Sequence, residues 1–145
     1  MSKIEDFLSL QEEEQIIAAI RKAESHTSGE IRVHIEKHTE IDAYERAMEV
    51  FHFLKMDTTK LRNGVLIYLA IDDKNFVIFG DQGINDVVAN DFWDSTRDIM
   101  LDRFKSGDFK QGLIEGILKA GQQLETHFPW EDLDKNELPN RISKG

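Results

Sequence analysis

The chain contains no cysteine. That excludes disulfide frameworks, thiol nucleophiles and thiolate metal centres. It has no apolar run approaching the roughly 20 residues that span a bilayer, so no membrane span is read. The opening stretch MSKIEDFLSLQEEEQ lacks an apolar core and a small-residue cleavage site, so no secretory signal is read either. Positive charge is scarce: 18 Lys and Arg stand against 28 Asp and Glu, a net charge of −10. That balance argues against nucleic acid or anionic membranes as partners. It suits a cytoplasmic protein, or one that attracts cations.

What is present is an ordinary globular composition, 40% hydrophobic and 32% charged over 145 residues, the size of one domain. The domain is expected over residues 1–128, followed by a polar, extended tail over residues 129–145. No internal repeat or low-complexity tract interrupts it.

Helical signals alternate with strand signals. Ser9 and Glu12 have capping-box spacing ahead of the stripe Ile16, Ile17, Ile20 and Ala23. Gly29 then stops the chain before EIRVHIE, whose alternation predicts a strand with Ile31, Val33 and Ile35 on one face. Arg32, His34 and Glu36 would make a wetter face. Asp42 and Glu45 open a second helix with the stripe Ala43, Ala47, Val50, Phe51 and Leu54. GVLIYLAI is continuously apolar, as a central strand covered on both faces must be. DDKN is a turn, and FVIFG a short third strand closed by Gly80. A short helical piece is expected near Ile84–Val88. Two longer helices follow, one starting at Asp91 with Asp94 at its third position, the other running from Asp108 to about His127. Gly112 and Gly116 leave the last helix a smooth strip for close packing.

Strand, helix and strand predict a parallel pair joined by a crossover, and the short turn predicts an antiparallel hairpin. One end of the sheet then collects Thr27, Ser28, Glu30, Asn63 and Asp81, with Asp86 or Asp91 nearby. Asp72 and Asp73 fall at the other end. Several oxygens converging from separate loops are what a hard divalent cation requires. The candidate ligands are Glu30, Asn63, Asp81 and Asp91, although a helix cap or a turn would account for Asp91 and Asp81 equally well. Calcium is expected over magnesium, because a site assembled from several loops rarely meets strict octahedral geometry.

Other motifs fail where they are most specific. His34 and His38 lie four apart, but on a strand, and are expected to be surface residues rather than zinc ligands. DLDKNE matches the first positions of an EF-hand loop yet has Glu137 where Gly is needed and Ser143 where Glu is needed. GDQG lacks the residues of a phosphate loop or a dinucleotide fingerprint. No motif supports a Ser–His–Asp triad. Trp93, Phe104, Phe109 and Phe128 read as core, and Lys55, Lys60 and Arg62 as a small basic loop beside the acidic end.

TSGEIRV, RNGVLIYLAIDDKNFVIFGDQGI, Asp91 and RFKSGDFKQGLIEGI, in that order over residues 27–120, resemble the TPM domain family, which includes thylakoid-lumen phosphatase-like proteins and photosystem repair factors. The resemblance implies a three-layer α/β/α sandwich with a small mixed sheet, and a divalent-cation site, often calcium, in an acidic cleft. Acid phosphatase activity has been proposed for plant relatives. Many relatives carry a secretory signal and an anchor or Gly-rich tail; none is read here, and the chain is expected to be a stand-alone, monomeric domain.

Two functions follow. The first is a non-enzymatic module that binds a divalent cation and serves a protein partner. The alternative is a metal-assisted phosphatase acting on phosphate monoesters, with the cation polarising a phosphoryl oxygen. Arg62 or Lys60 would then steady the phosphate, and Asp81 or Glu30 would act as base. The first is favoured, because no nucleophile is positioned and an acidic cleft repels a phosphate dianion unless a metal offsets it.

Overall fold

A computed structural model describes residues 7–130 and 142–144. Helix α1 spans Leu10–Glu24. Its start is fixed by the expected reciprocal cap: Glu12 N–H donates to Ser9 Oγ, and Ser9 N–H donates to Glu12 Oε1. Strand β1 (Glu30–Glu36), helix α2 (Ala43–Phe53) and strand β2 (Gly64–Ala70) form the crossover unit. Asp42 caps α2 by accepting from Tyr44 N–H and Glu45 N–H. Strand β3 (Asn75–Gly80) returns after a tight turn in which Lys74 takes a left-handed conformation.

The strand pairing is as predicted: β1 and β2 are parallel, β2 and β3 antiparallel. Three short or long helices follow, α3 (Gln82–Asn85), α4 (Asp94–Lys105) and α5 (Phe109–His127). A fourth strand, β4 (Ser143–Lys144), pairs in parallel with the outer edge of β1, so the sheet order is β3-β2-β1-β4. β4 falls inside the stretch expected to be an extended tail. Two residues of pairing carry no periodicity, and nothing local marks them. The EF-hand-like residues Asp132, Asp134, Asn136 and Glu137 lie outside the described residues.

The layers are α/β/α. Helices α1, α4 and α5 cover one face, with Ile16, Ile20, Met100, Leu113, Ile117 and Leu124 buried against Ile31, Val33, Ile67 and their neighbours. Helix α2 covers the other face with Ala43, Ala47, Val50 and Phe51 on Leu66, Tyr68 and Ala70. Three glycines let α5 press close to its neighbours. A Cβ at Gly112 would collide with Phe104, one at Gly116 with Met100, and one at Gly121 with Ala23.

Two details depart from the sequence reading. All seven residues of β1 are buried, including Arg32, His34 and Glu36 at 5% exposure each. The wetter face is therefore absent; the side chains of His34 and Glu36 are buried beside α2 and β4 and meet partners there that are described below, whereas the Arg32 Nε atom is buried and makes no hydrogen bond among the described residues. Helix α4 begins at Asp94 rather than Asp91, and its cap position, Trp93, makes no side-chain bond. Asp91 stands in a preceding turn, its carbonyl accepting Asp94 N–H at 3.0 Å. That turn lets Phe92 and Trp93 pack on the core before the helix starts.

Candidate functional site

The topology brings Glu30, Asn63 and Asp81 to one end of the sheet, at the start of β1, just before β2 and just after β3. Their side chains have separate employment. Asp81 caps α3, accepting from Gln82 N–H at 2.7 Å. It also takes a two-pronged ion pair from Arg62, Nε to Oδ2 at 3.0 Å and Nη2 to Oδ1 at 3.3 Å. Gly83 secures this arrangement, since a Cβ there would collide with the Leu61 and Arg62 carbonyls. The Asn63 side-chain amide donates to Ser28 Oγ at 3.2 Å, and the Asn63 backbone carbonyl accepts Glu30 N–H at 3.4 Å. Asp91 is exposed in the turn before α4.

The acid that meets Glu30 is Glu24, the last residue of α1. Glu24 Oε2 accepts Ile31 N–H at 2.8 Å, closing a backbone group on the outer edge of β1. Burial raises the Glu24 pKa to about 8; the Ile31 bond opposes this, while the charge of Glu30 and a hydrogen bond to it add to the rise. Two carboxyl groups in contact cannot both ionise cheaply, which favours the protonated form of Glu24 near neutrality. Glu24 went unread in the sequence, yet a signal exists. It lies four residues after Ile20, which lies four after Ile16, so an acid ends the buried stripe of α1.

The other end of β1 is arranged in the opposite sense. Glu36 accepts from Arg46 Nε at 2.9 Å and Nη2 at 3.0 Å, from His34 Nε2 at 3.1 Å, and from the Tyr68 hydroxyl. Burial alone would push its pKa up. The hydrogen bonds from Arg46, Tyr68 and His34 outweigh it and hold Glu36 at about 2. Burial and Glu36 push the Tyr68 phenol up. Burial also lowers the His34 pKa despite Glu36, which leaves the imidazole neutral. An ionised carboxylate can only accept, so His34 Nε2 carries the proton and Nδ1 accepts from Ser143 Oγ at 3.0 Å. Hydroxyl, imidazole and carboxylate in series have the order of a nucleophile relay. Here Arg46 already neutralises the carboxylate and the ring is buried, so the series fastens β4 to β1, aided by the Lys144–Glu13 ion pair. The four acceptor sites of Glu36 are filled, leaving it no capacity for a cation.

His38 and the hairpin tip also have defined work. His38 Nδ1 lies 2.6 Å from Asp73 Oδ1, and Asp73 Oδ2 accepts Thr39 N–H at 3.0 Å. The Asp73 hydrogen bond raises the His38 pKa, and His38 lowers that of Asp73. Asp73 therefore ties the hairpin to the loop after β1. His38 is at the surface as expected; His34, expected there too, is not. Among the described residues no group of three or more His, Asp or Glu side chains is arranged to hold a metal ion. No helix among them is long and apolar enough to cross a membrane.

A small mixed sheet between one helix and three, with its ends defined by these loops, is the architecture of a compact α/β/α domain class. A family model for the TPM domain matches residues 2–123, and the chain belongs to that family. The BA42 protein from the psychrophilic bacterium Bizionia argentinensis, solved by NMR, is 64% identical over 100% of both chains with a TM-score of 0.94. The N-terminal domain of a P. gingivalis protein shares the fold at 20% identity and a TM-score of 0.66, covering 84% of this chain and 79% of that one. The N-terminal domain of the cg2496 protein from Corynebacterium glutamicum does so at 12% identity and 0.63, covering 95% and 80%. No curated protein matches.

Proposed function

We propose that this TPM domain is a binding module for a divalent cation, calcium over magnesium, held at the Glu24–Glu30 end of the sheet. One observation carries the reading: two carboxyl groups from different elements, Glu24 and Glu30, are hydrogen-bonded to each other, and burial together with this contact raises the Glu24 pKa to about 8. A cation can relieve their repulsion as a proton on Glu24 does. Thr27, Ser28 and Asn63, in the loops at this end of the sheet, carry oxygen of the kind a hard ion takes. Glu24 and Glu30 would hold the charge and Asn63 would add a neutral oxygen. Of the other candidate ligands, Asp81 is engaged by Arg62, and Asp91 sits in the α4 turn. The cation would supply positive charge at this end of the chain and join α1 to β1.

Catalysis is the weaker reading. Arg62, the residue best placed to steady a phosphate, is committed to Asp81. Purified protein with calcium or magnesium should turn over a generic phosphate ester slowly at most. A fast rate lost in Glu30→Gln would make it an enzyme.

The binding test is a calcium titration read by thermal unfolding. A ligand at 100 times its Kd stabilises by about 2.7 kcal/mol. The shift should be larger at pH 8.5 than at pH 5.5, because the ion competes with the proton on Glu24. Glu24→Gln and Glu30→Gln should each abolish it, and Asp73→Asn should leave it intact. A shift that survives both glutamate substitutions, or that ignores pH, would reject this site.

A further inference from the structure

The two edges of the sheet are treated differently. On β1 the outward Ile31 N–H is taken by Glu24, and His34 and Ile35 are covered by β4. Among the described residues β3 has no strand beyond it. Asp81 N–H donates to the Gly64 carbonyl at 2.9 Å, which sets the phase of the antiparallel ladder. Asn75, Val77 and Phe79 therefore turn their backbone groups to β2, and Phe76, Ile78 and Gly80 turn theirs to the open side. The Gly80 carbonyl is met by Asn85 Nδ2 at 3.3 Å. The backbone groups of Phe76 and Ile78 remain, facing outward.

Two adjoining hollows run along that edge, of about 400 Å³ and 420 Å³. Both are lined by Tyr44, Ile78 and Arg97, so they form one groove between α2 and α4. Tyr44 is 52% exposed and Leu101 39%, which gives the groove an apolar wall on each side. It also carries positive charge. Arg46, Arg62, Arg103 and Lys144 each pair with a carboxylate. Arg97 and Lys74, which line the groove, form no ion pair among the described residues, in a chain of net charge −10. Of the acids beside them, Asp42 is occupied as the α2 cap.

We propose that the open edge of β3 takes an extended segment of a partner protein as a fifth strand, with a carboxylate of that segment on Arg97 and an apolar side chain between Tyr44 and Leu101. Addition of a strand to an exposed edge supplies main-chain bonds for affinity and side-chain pockets for specificity, and an uncovered edge is otherwise a hazard. This sheet already accepts a two-residue strand on its other edge. The described residues on either side of the C-terminal stretch lie at the far edge: Trp130 N–H donates to the His26 carbonyl, and Ser143 is bonded to His34. A second copy is disfavoured, because pairing two β3 edges would bring two chains of net charge −10 together and offer neither Arg97 a dedicated carboxylate.

The experiment pans a random heptapeptide phage library on the intact chain and measures the enriched peptides by fluorescence anisotropy. Enriched sequences should alternate apolar residues with at least one Asp or Glu. Arg97→Glu should weaken them at least tenfold. So should Ile78→Pro, whose missing N–H faces outward and leaves the β2 ladder whole. If the proline variant does not fold, protection of the Phe76 and Ile78 amides from hydrogen exchange on peptide addition replaces it as the readout. No enrichment, binding indifferent to Arg97→Glu without such protection, or a self-association of the chain that Arg97→Glu abolishes would each overturn the proposal.

Discussion

Strand β1 begins and ends on glutamate, and the two carboxylates keep opposite company. Glu30 faces another acid, Glu24, whose pKa burial and the Glu30 charge raise to about 8. Glu36 faces a guanidinium, a phenol and an imidazole, and stays ionised down to about pH 2. Both are buried, at 3% and 5% exposure. Burial therefore does not decide what a buried carboxylate does; the donors supplied by distant parts of the chain decide it. The end with surplus donors is locked. The end where two acids meet is the one at which the cation is proposed.

Breaking the locked end should cost most. Glu36→Gln removes the buried charge that Arg46, Tyr68 and His34 all donate to and sets an amide N–H against those donors, and should destabilise by about 3 kcal/mol, read by urea unfolding. Tyr68→Phe removes one donor to an ionised group and should cost about 2 kcal/mol, with Glu36 still paired to Arg46. At the other end the sign reverses: Glu24→Gln removes the conflict and should stabilise by about 1 kcal/mol at pH 8, with little effect at pH 4.5.

A Tm–pH profile sharpens the contrast. Glu36 has a folded pKa of about 2 against an ordinary 4.5, so its contribution is complete above 4.5 and lost as pH falls through 2. The neutral, buried His34 adds to that acid arm. Glu24 has a folded pKa of about 8, so its contribution is complete below 4.5 and lost as pH rises through 8. Glu24→Gln should flatten the alkaline arm only, and Glu36→Gln the acid arm below pH 4.5 only. The smallest effect is expected at the exposed hairpin tip. Asp73→Asn should leave Tm nearly unchanged, because a surface pair contributes little, and any loss should vanish in high salt.

The architecture was legible because its determinants are local. Alternation in EIRVHIE, continuity in GVLIYLAI, and the caps Ser9, Asp42 and Asp108 each act within a few residues, and each stands where expected. The ends of the strands followed from the length of the connections, which put Glu30, Asn63 and Asp81 at one end. The partners of those side chains did not follow. Arg62 sits 19 residues from Asp81, Tyr68 32 from Glu36, and Ser143 109 from His34. Such pairings depend on how layers meet, which periodicity does not encode. That is why His34 reads as a surface residue in sequence and is buried in the fold, and why β4 carries no signal of its own.

Helix α5 pays a local cost for the close contacts described above. A glycine inside a helix is less favourable than alanine by about 1 kcal/mol, so Gly112, Gly116 and Gly121 together disfavour this helix by roughly 3 kcal/mol before it touches anything. A peptide of Phe109–His127 alone should therefore be largely unstructured in water. The helix becomes worthwhile only when Phe104 and Met100 of α4 and Ala23 of α1 fill the space its missing side chains leave. Its formation is thus conditional on two neighbours at once, one from each end of the described chain. Partial unfolding of that layer has no stable halfway point, and loss of α1 by proteolysis should melt α4 and α5 in a single step.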